Sequence, residues 1–381
     1  MRTLSLVACA LLLAAQLNAG QSAISDAEAT QLAEKLETAA NEGDVRTFDR
    51  NFDFEALLDT ATAGTEVPAA EKNAFRTGVK QNLSMGKIVC GSVEQGGAFK
   101  LLRVRDRKGE KVLLFRLTAG GGVNYHEMKV RKSGTRLCAV DAYIYLAGEW
   151  LSQTLRRSYL PLVAHENRGL LDKLMSNESE YMKNLPQLSA MGEALRNGQK
   201  AKGLKIYYQL PAALQQDKNV LIQRIALASQ HDEKEYSLAA ADFEKFHAGD
   251  PALHLILIDA HFFAKRFDKA QKSIDQVDAA VGGDPYLNVL RANLYCVAGD
   301  TAAAKVAIIK AETAEPKMSQ AFLTHLLITV KDKDYAQSVK LLNKLENELG
   351  VELADLRTVP DYADFVKATE YAAWMKSRPK K

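Results

Sequence analysis

Apolar residues recur at helical spacing soon after the start of the chain. Those of segment 32–39 follow one another at intervals of three and four, which predicts a helix. Ser25, with Glu28 three residues later, has the arrangement of a capping box at the start of that helix. Two further helices are predicted over residues 44–60 and 69–83.

The pattern changes after residue 86, where segments rich in Val, Leu, Phe and Tyr alternate with turn residues. Glycines in the connections, among them Gly109 and Gly134, suit the positive φ of tight turns. Helices followed by consecutive strands predict an α+β domain over residues 24–158, with an antiparallel sheet. The predicted strands are 87–93, 99–105, 111–118, 123–131 and 135–145.

A short apolar run opens the chain. It extends over residues 4–15 after the basic Arg2, and it is too short to span a bilayer as a stable helix. Small residues follow, including Ala19 and Ala23. This pattern is typical of a bacterial-type signal peptide, residues 1–19, with cleavage possibly as late as residue 23. It predicts a secreted or periplasmic protein whose mature chain has no membrane span.

From about residue 148 onward the periodicity is helical, and it repeats. Ala270, Ala304 and Ser338 stand 34 residues apart, and a large aliphatic residue follows each of them four residues later. In the helix before each of them, apolar residues at offsets of 0, 3 and 7 share one face. With two weaker earlier copies, residues 165–348 are predicted to form about five helical hairpins.

One of these copies carries a family resemblance. The segment 299–304, followed by Ile308, Ala311 and Pro316, resembles the tetratricopeptide repeat. That family has small residues where paired helices cross, a large apolar residue four positions later and a terminal proline. Ser338, in place of alanine, departs from the pattern. The resemblance implies an all-α solenoid with a concave groove that binds another protein or a peptide.

The predicted groove is lined by the first helix of each hairpin. The candidate groove residues, expected to be exposed, are His254, His261, Asn288, Arg291, Tyr295 and Thr324.

Residues 349–381 contain Phe365, Tyr371 and Trp374 at helical spacing, and we predict that they form capping helices and a tail.

The N-terminal domain resembles the nuclear-transport-factor-2-like, or cystatin-like, fold. The basis is the order of its elements, helices first and then long antiparallel strands with short turns. In that family a bent sheet forms a cone, which in some members holds a ligand or an active site. A ligand-binding or enzymatic pocket containing Tyr125, His126 and Asp141 is therefore an alternative function.

Positive charge is concentrated in one segment, whereas the chain as a whole is close to neutral. The 381 residues are 47% hydrophobic and carry a net charge of +3, which does not by itself indicate a nucleic-acid partner. Residues 100–136, however, contain eleven Lys and Arg against three acidic residues. This face either binds an anionic polymer or is a solvated outer surface. Its candidate residues are Arg103, Arg105, Arg107 and Arg131.

Sequence motifs for catalysis are not recognised. The histidines do not follow a zinc-binding spacing, and the run Gly120–Gly122 lies between strands, where a turn is expected rather than a phosphate loop. We therefore predict a non-catalytic scaffold protein without a metal or cofactor. Cys90 and Cys138, both in predicted strands, form a disulfide or remain two buried thiols. Cys296 is predicted to be a core thiol.

Overall fold

The computed structural model describes residues 24–65, 67–107, 109–134, 136–166, 176–228 and 232–378. The predicted signal peptide, with its cleavage positions, lies outside these residues. The chain divides into two compact units. The first extends to Val163 without residues 145–148, and the second holds those four residues and everything from Ala164 onward.

Within the described residues, five helices precede the sheet of the first unit. The predicted capping box is present, because the Glu28 amide donates to Ser25 Oγ and the Ser25 amide donates to Glu28 Oε2. The single helix predicted over 44–60 is instead two helices, since Asp53 caps the second by accepting from the Ala56 amide. The helices are α1 (Asp26–Asn41), α2 (Val45–Arg50), α3 (Phe54–Ala61), α4 (Ala69–Asn82) and α5 (Met85–Glu94).

Helix α5 shows that the strand predicted over residues 87–93 is wrong. Ser84 Oγ accepts a hydrogen bond from a backbone amide of the first turn and so caps the start of a helix. Met85 and Val89, one helical turn apart, are buried, whereas Ile88 is 51% exposed. Burial on one helical face therefore outweighs the β-branched composition of the segment.

The sheet has five antiparallel strands in the order of the chain, among the residues described. Four of them confirm predicted strands, and their ends differ from the predicted ends by at most a few residues. The fifth is a two-residue strand at the junction to the next helix, in place of segment 87–93. The strands are β1 (Ala98–Arg107), β2 (Glu110–Ala119), β3 (Gly122–Ser133), β4 (Arg136–Ile144) and β5 (Glu149–Trp150).

One face of the sheet packs against the helices and forms the core of the first unit. Leu36 of α1 and Phe48 of α2 are fully buried in the same cluster as Phe115 and Met128 of the sheet. Phe99 stacks on Phe115 with ring centroids 4.4 Å apart. Apolar side chains therefore fill the space between the helices and the sheet.

The described chain after the sheet is helical. Aspartates cap two of these helices where Asp-Pro pairs stand in the sequence: Asp250 accepts from the Ala252 amide, and Asp284 accepts from the Tyr286 amide. The helices are α6 (Leu151–Glu166), α7 (Ser176–Lys183), α8 (Leu185–Arg196), α9 (Lys200–Gln209), α10 (Ala212–Gln215), α11 (Lys218–Ala228), α12 (Glu233–Phe246), α13 (Pro251–Phe263), α14 (Phe267–Val281), α15 (Pro285–Ala298), α16 (Thr301–Ala314), α17 (Ser319–Lys331), α18 (Tyr335–Asn343) and α19 (Thr369–Ser377).

Helices that are consecutive in sequence pack as pairs. Helix α13 packs against α14, α15 against α16, and α17 against α18. Among the described residues, every helix falls short of the length and apolarity needed to cross a bilayer.

The C-terminal tail packs on the last of these pairs. Phe365, Tyr371 and Trp374 are buried in one cluster with Leu342 of α18. Trp374 Nε1 also donates a hydrogen bond of 3.0 Å to Asn343 Oδ1 at the end of that helix. The tail therefore covers an apolar face that α17 and α18 would otherwise expose.

Candidate functional site

A pocket of about 370 Å³ lies between α12, α13 and α14. Its volume falls within the range of small-ligand sites, about 300–1,000 Å³. The residues that each helix contributes are spaced mostly by three or four, so each helix turns one face toward the pocket.

A tight connection positions the wall formed by α13 and α14. Lys265 has a φ of +53°, in the left-handed region that reverses the chain between the two helices. Arg266, directly after it, is the N-cap residue of α14 and lines the pocket. Lys269 and Lys272 follow at intervals of three on the same helix and also line it.

Two of the predicted groove residues, His254 and His261, meet in this pocket. His261 is only 8% exposed, and its Nδ1 is buried without a hydrogen-bond partner in the part of the chain described. Burial, with the nearby charges of Lys269 and Arg266, lowers the pKa of His261 to about 4. Burial also lowers the pKa of the half-buried His254. Both imidazoles are therefore neutral at pH 7 and act as hydrogen-bonding groups.

The charged residues of the pocket are mostly basic. Arg266 lies 3.6 Å from Glu233, a carboxylate whose side chain is 71% exposed. Lys269 and Lys272 are exposed and make no ion pair within the described chain. Glu244, on the wall formed by α12, contributes a negative charge. The pocket therefore has a cationic wall whose lysines are available to an anion.

The other predicted groove residues lie elsewhere. Arg291 of α15 donates hydrogen bonds of 2.9 Å to Asp275 and Asp278 of α14, and one of 3.1 Å to Asn288. Arg291 thus joins two helices rather than facing solvent, and Asn288 accepts its hydrogen bond within the same helix. Tyr295 is half-buried on the same helix.

The expectation of exposure is wrong for Thr324 and His261, which are 4% and 8% exposed. The physical reason is that helical spacing identifies a shared face but not the neighbouring helix that covers it. Recognition was predicted for the first helix of each pair, so Arg266, Lys269 and Lys272 were not among the candidate residues. Their regular spacing along α14 is the signal that could have identified them.

The basic residues of the sheet are largely paired inside the fold. Glu127, whose side chain is 3% exposed, forms ion pairs with Arg107 and, at 3.3 Å, with Arg105. Arg131 Nη2 lies 2.9 Å from Glu110. Arg103 is half-buried on β1. Acidic residues therefore neutralise much of the positive charge that the sequence concentrates here.

The polar residues predicted for a pocket in the first unit do not converge. Tyr125 and His126 are neighbours on β3, so their side chains lie on opposite faces of the sheet. His126 packs in the core, 6.0 Å from the Phe99 ring, and burial lowers its pKa to about 4. Asp141 accepts a hydrogen bond of 2.6 Å from Ser152 Oγ at the start of α6, and burial raises its pKa.

The three cysteines within the described residues are buried and free. Cys90 and Cys138 are separate thiols, which corresponds to the second of the two alternatives stated above, and Cys296 is a buried thiol as predicted. Cys90 lies in a helix and donates to the Ala39 carbonyl at 3.7 Å. Burial raises the pKa of the Cys90 and Cys296 thiols, which disfavours the reactive thiolate.

Within the residues described, His, Cys, Asp and Glu side chains do not gather in groups of three that could hold a metal ion. Comparison with protein-family models, with curated proteins and with solved structures finds no match to this chain. The function of the protein is therefore inferred from its own residues and their geometry.

Proposed function

We propose that the protein is an exported, non-catalytic binding protein whose helical second half holds a segment of another protein. The observation that carries this proposal is a constant interval between helices. Helices α13, α15 and α17 begin at residues 251, 285 and 319, and α14, α16 and α18 begin at 267, 301 and 335. Each interval is 34 residues, which supports an array of tetratricopeptide-type hairpins.

The connections inside these pairs recur at the same interval. Lys265, Gly299 and Lys333 have φ values of +53°, +87° and +58°. Such values are uncommon for residues with a side chain, so their recurrence supports the same hairpin built three times. Ala270, Ala304 and Ser338, the predicted crossing points, are all fully buried.

A stack of rigid helices is suited to binding because its surface is formed before the partner arrives. Less conformational entropy is then lost on association than if the surface became ordered only during binding. The pocket of about 370 Å³ lies in the first of the three equivalent pairs and against the helix before it. It combines neutral imidazoles with lysines that have no ion pair among the described residues. The basic sheet receives less support as a binding surface, because Arg105, Arg107 and Arg131 already have acidic partners.

Export is tested by the N-terminus of the mature protein. We expect N-terminal sequencing of protein from a periplasmic or culture-supernatant fraction to begin at residue 20, or as late as residue 24. Protein that is found only in the cytoplasmic fraction and still begins at Met1 would contradict export.

Binding is tested by photo-cross-linking in the cells that make the protein. Ala241 of α12 lines the pocket and is exposed, so a photoreactive amino acid there faces a bound partner without disturbing the core. The matched control is Ala302 of α16, exposed and outside the pocket. We expect a discrete adduct with one protein at Ala241 and none at Ala302. The proposal fails if neither Ala241 nor exposed positions along α13, α15 and α17 trap a protein.

A further inference from the structure

The three basic residues of the pocket form a row. Arg266, Lys269 and Lys272 follow one another at intervals of three along α14. Because an α-helix rises 1.5 Å per residue, the row extends over about 9 Å along the helix axis. That length is greater than a single carboxylate can cover while it remains close to each cation.

The spacing of the row fits an extended peptide. A β-like chain rises about 3.3 Å per residue and points alternate side chains to the same side, so acidic residues at i and i+2 stand about 7 Å apart. We infer, on the basis of the proposed binding function, that the pocket recognises an extended acidic segment of the partner. Asp or Glu at alternate positions of that segment would place their carboxylates along Arg266, Lys269 and Lys272.

The other walls of the pocket also favour a segment whose carboxylates point toward α14. Glu244 belongs to α12 and repels carboxylates, so an acidic segment is directed toward α14. The neutral His254 and His261 offer hydrogen bonds without adding charge, and His261 Nδ1 has no partner within the described chain. The hydroxyl of Ser273, a residue 4% exposed, lies on the same wall as the lysines.

The test measures peptide affinity by fluorescence anisotropy with the full mature protein. The probe is an N-acetylated, C-amidated peptide of alternating Glu and Ala. One comparison peptide has Gln in place of every Glu, and a second is that Gln peptide with a free C-terminal carboxylate. We expect the Glu peptide to bind at least about tenfold more tightly than both, and less tightly as salt is raised. Equal affinity for all three peptides would overturn the inference, as would a preference for the free C-terminus.

A variant with two lysines replaced by glutamate tests whether the pocket itself binds the peptide. In the variant Lys269→Glu/Lys272→Glu we expect about a tenfold loss of affinity for the Glu peptide and a gain for a peptide of alternating Lys and Ala. The matched control is Lys310→Glu/Lys317→Glu, which reverses two exposed lysines outside the pocket and leaves both affinities unchanged. Thermal unfolding of each variant verifies that the fold is retained. Equal losses in the two variants would contradict recognition by the pocket.

Failure of this inference is distinguishable from failure of the proposed function. If Ala241 traps a partner but the Glu peptide does not bind, the acidic specificity is wrong and the binding function stands. If neither Ala241 nor the other exposed helical positions tested form an adduct, and the Glu peptide does not bind, the acidic specificity and the proposed binding function are both wrong.

Discussion

The sheet and the pocket both carry clusters of positive charge, but their cations differ in what surrounds them. On the sheet, Arg105 and Arg107 share the buried carboxylate of Glu127. In the pocket, Lys269 and Lys272 are exposed and have no ion pair among the described residues. The sheet thus has more basic residues than the pocket, but an acidic side chain of the protein already pairs with the two arginines named here.

This difference shows why charge density along a sequence is a weak guide to binding. Some acidic partners of the sheet come from distant positions: Lys111 lies 2.5 Å from Asp26, and Lys132 lies 3.3 Å from Glu28, both at the start of α1. Counting residues between 100 and 136 cannot include such partners. The absence of a nearby acid is a property of the fold, and it is the property that makes a cation available to a ligand.

One buried histidine in each region gives the largest predicted effect on stability. His126 in the sheet core and His261 in the pocket both have a pKa lowered from 6.5 to about 4 by burial. Between pH 6.5 and pH 4 the unfolded chain therefore binds protons that the folded chain does not, so stability falls as the pH falls. For one such histidine the loss of stability between pH 7 and pH 4.5 is about 2.4 kcal/mol.

We predict that His126→Leu removes this contribution. The difference in unfolding free energy between pH 7 and pH 4.5, measured by urea denaturation, should shrink by about 2.4 kcal/mol relative to the unsubstituted protein. An unchanged difference would show that His126 is protonated in the folded core.

The same two histidines respond differently to a ligand if the account of the pocket is right. Bound carboxylates next to Lys269 and Arg266 would offset the positive charges that help to lower the pKa of His261. NMR titration with the alternating Glu peptide should therefore raise the pKa of His261 and leave that of His126 unchanged. Equal shifts, or none, would contradict binding at this wall.

The third prediction concerns the paired charges of the sheet. Glu127→Gln removes the negative charge that Arg105 and Arg107 share, and we expect a loss of about 2 kcal/mol in unfolding free energy. Glu110→Gln is the control, since Glu110 is 36% exposed and pairs with Arg131 in solvent. Its loss should stay below about 0.5 kcal/mol. Equal losses of unfolding free energy would mean that burial does not make the ion pairs of Glu127 more stabilising than those of Glu110.

The fourth prediction compares two helical glycines. A Cβ on Gly203 of α9 would lie 2.5 Å from a methyl carbon of the fully buried Leu227, whereas one on Gly78 of α4 would meet no atom within 4 Å. We expect Gly203→Ala to destabilise the protein by about 1 kcal/mol and Gly78→Ala to stabilise it by about 0.5 kcal/mol. Chemical denaturation measures both. A stabilising Gly203→Ala would show that the helices do not approach closely there.

The smallest effect is predicted where the helical half departs from the tetratricopeptide pattern. Ser338 Oγ lies 2.9 Å from Thr329 Oγ1, but Thr329 also donates to the Leu326 carbonyl and keeps that hydrogen bond without the serine. Ser338→Ala should therefore change the unfolding free energy by less than about 0.5 kcal/mol. A loss above about 1 kcal/mol would indicate that Ser338 is not equivalent to Ala270 and Ala304.

Local signals predicted the fold better than the site. Four strands follow from their turn glycines and apolar segments, because those signals are confined to a few neighbouring residues. Segment 87–93 was misassigned because its Ile-Val-Cys composition hides a helical face that only burial reveals. The pocket depends on contacts between three helices, and periodicity along one helix does not show which residues of another come close.

Binding of a partner protein at the cationic wall of the pocket is tested by the yield of the Ala241 cross-link in cells, with the charges of the pocket and of the sheet reversed separately. We predict that Lys269→Glu/Lys272→Glu abolishes most of the adduct. Reversal of Arg131 on the sheet, a side chain that is 59% exposed, should leave the yield unchanged. An adduct that survives reversal of the two lysines but disappears with Arg131→Glu would contradict the account, because it would place recognition on the sheet.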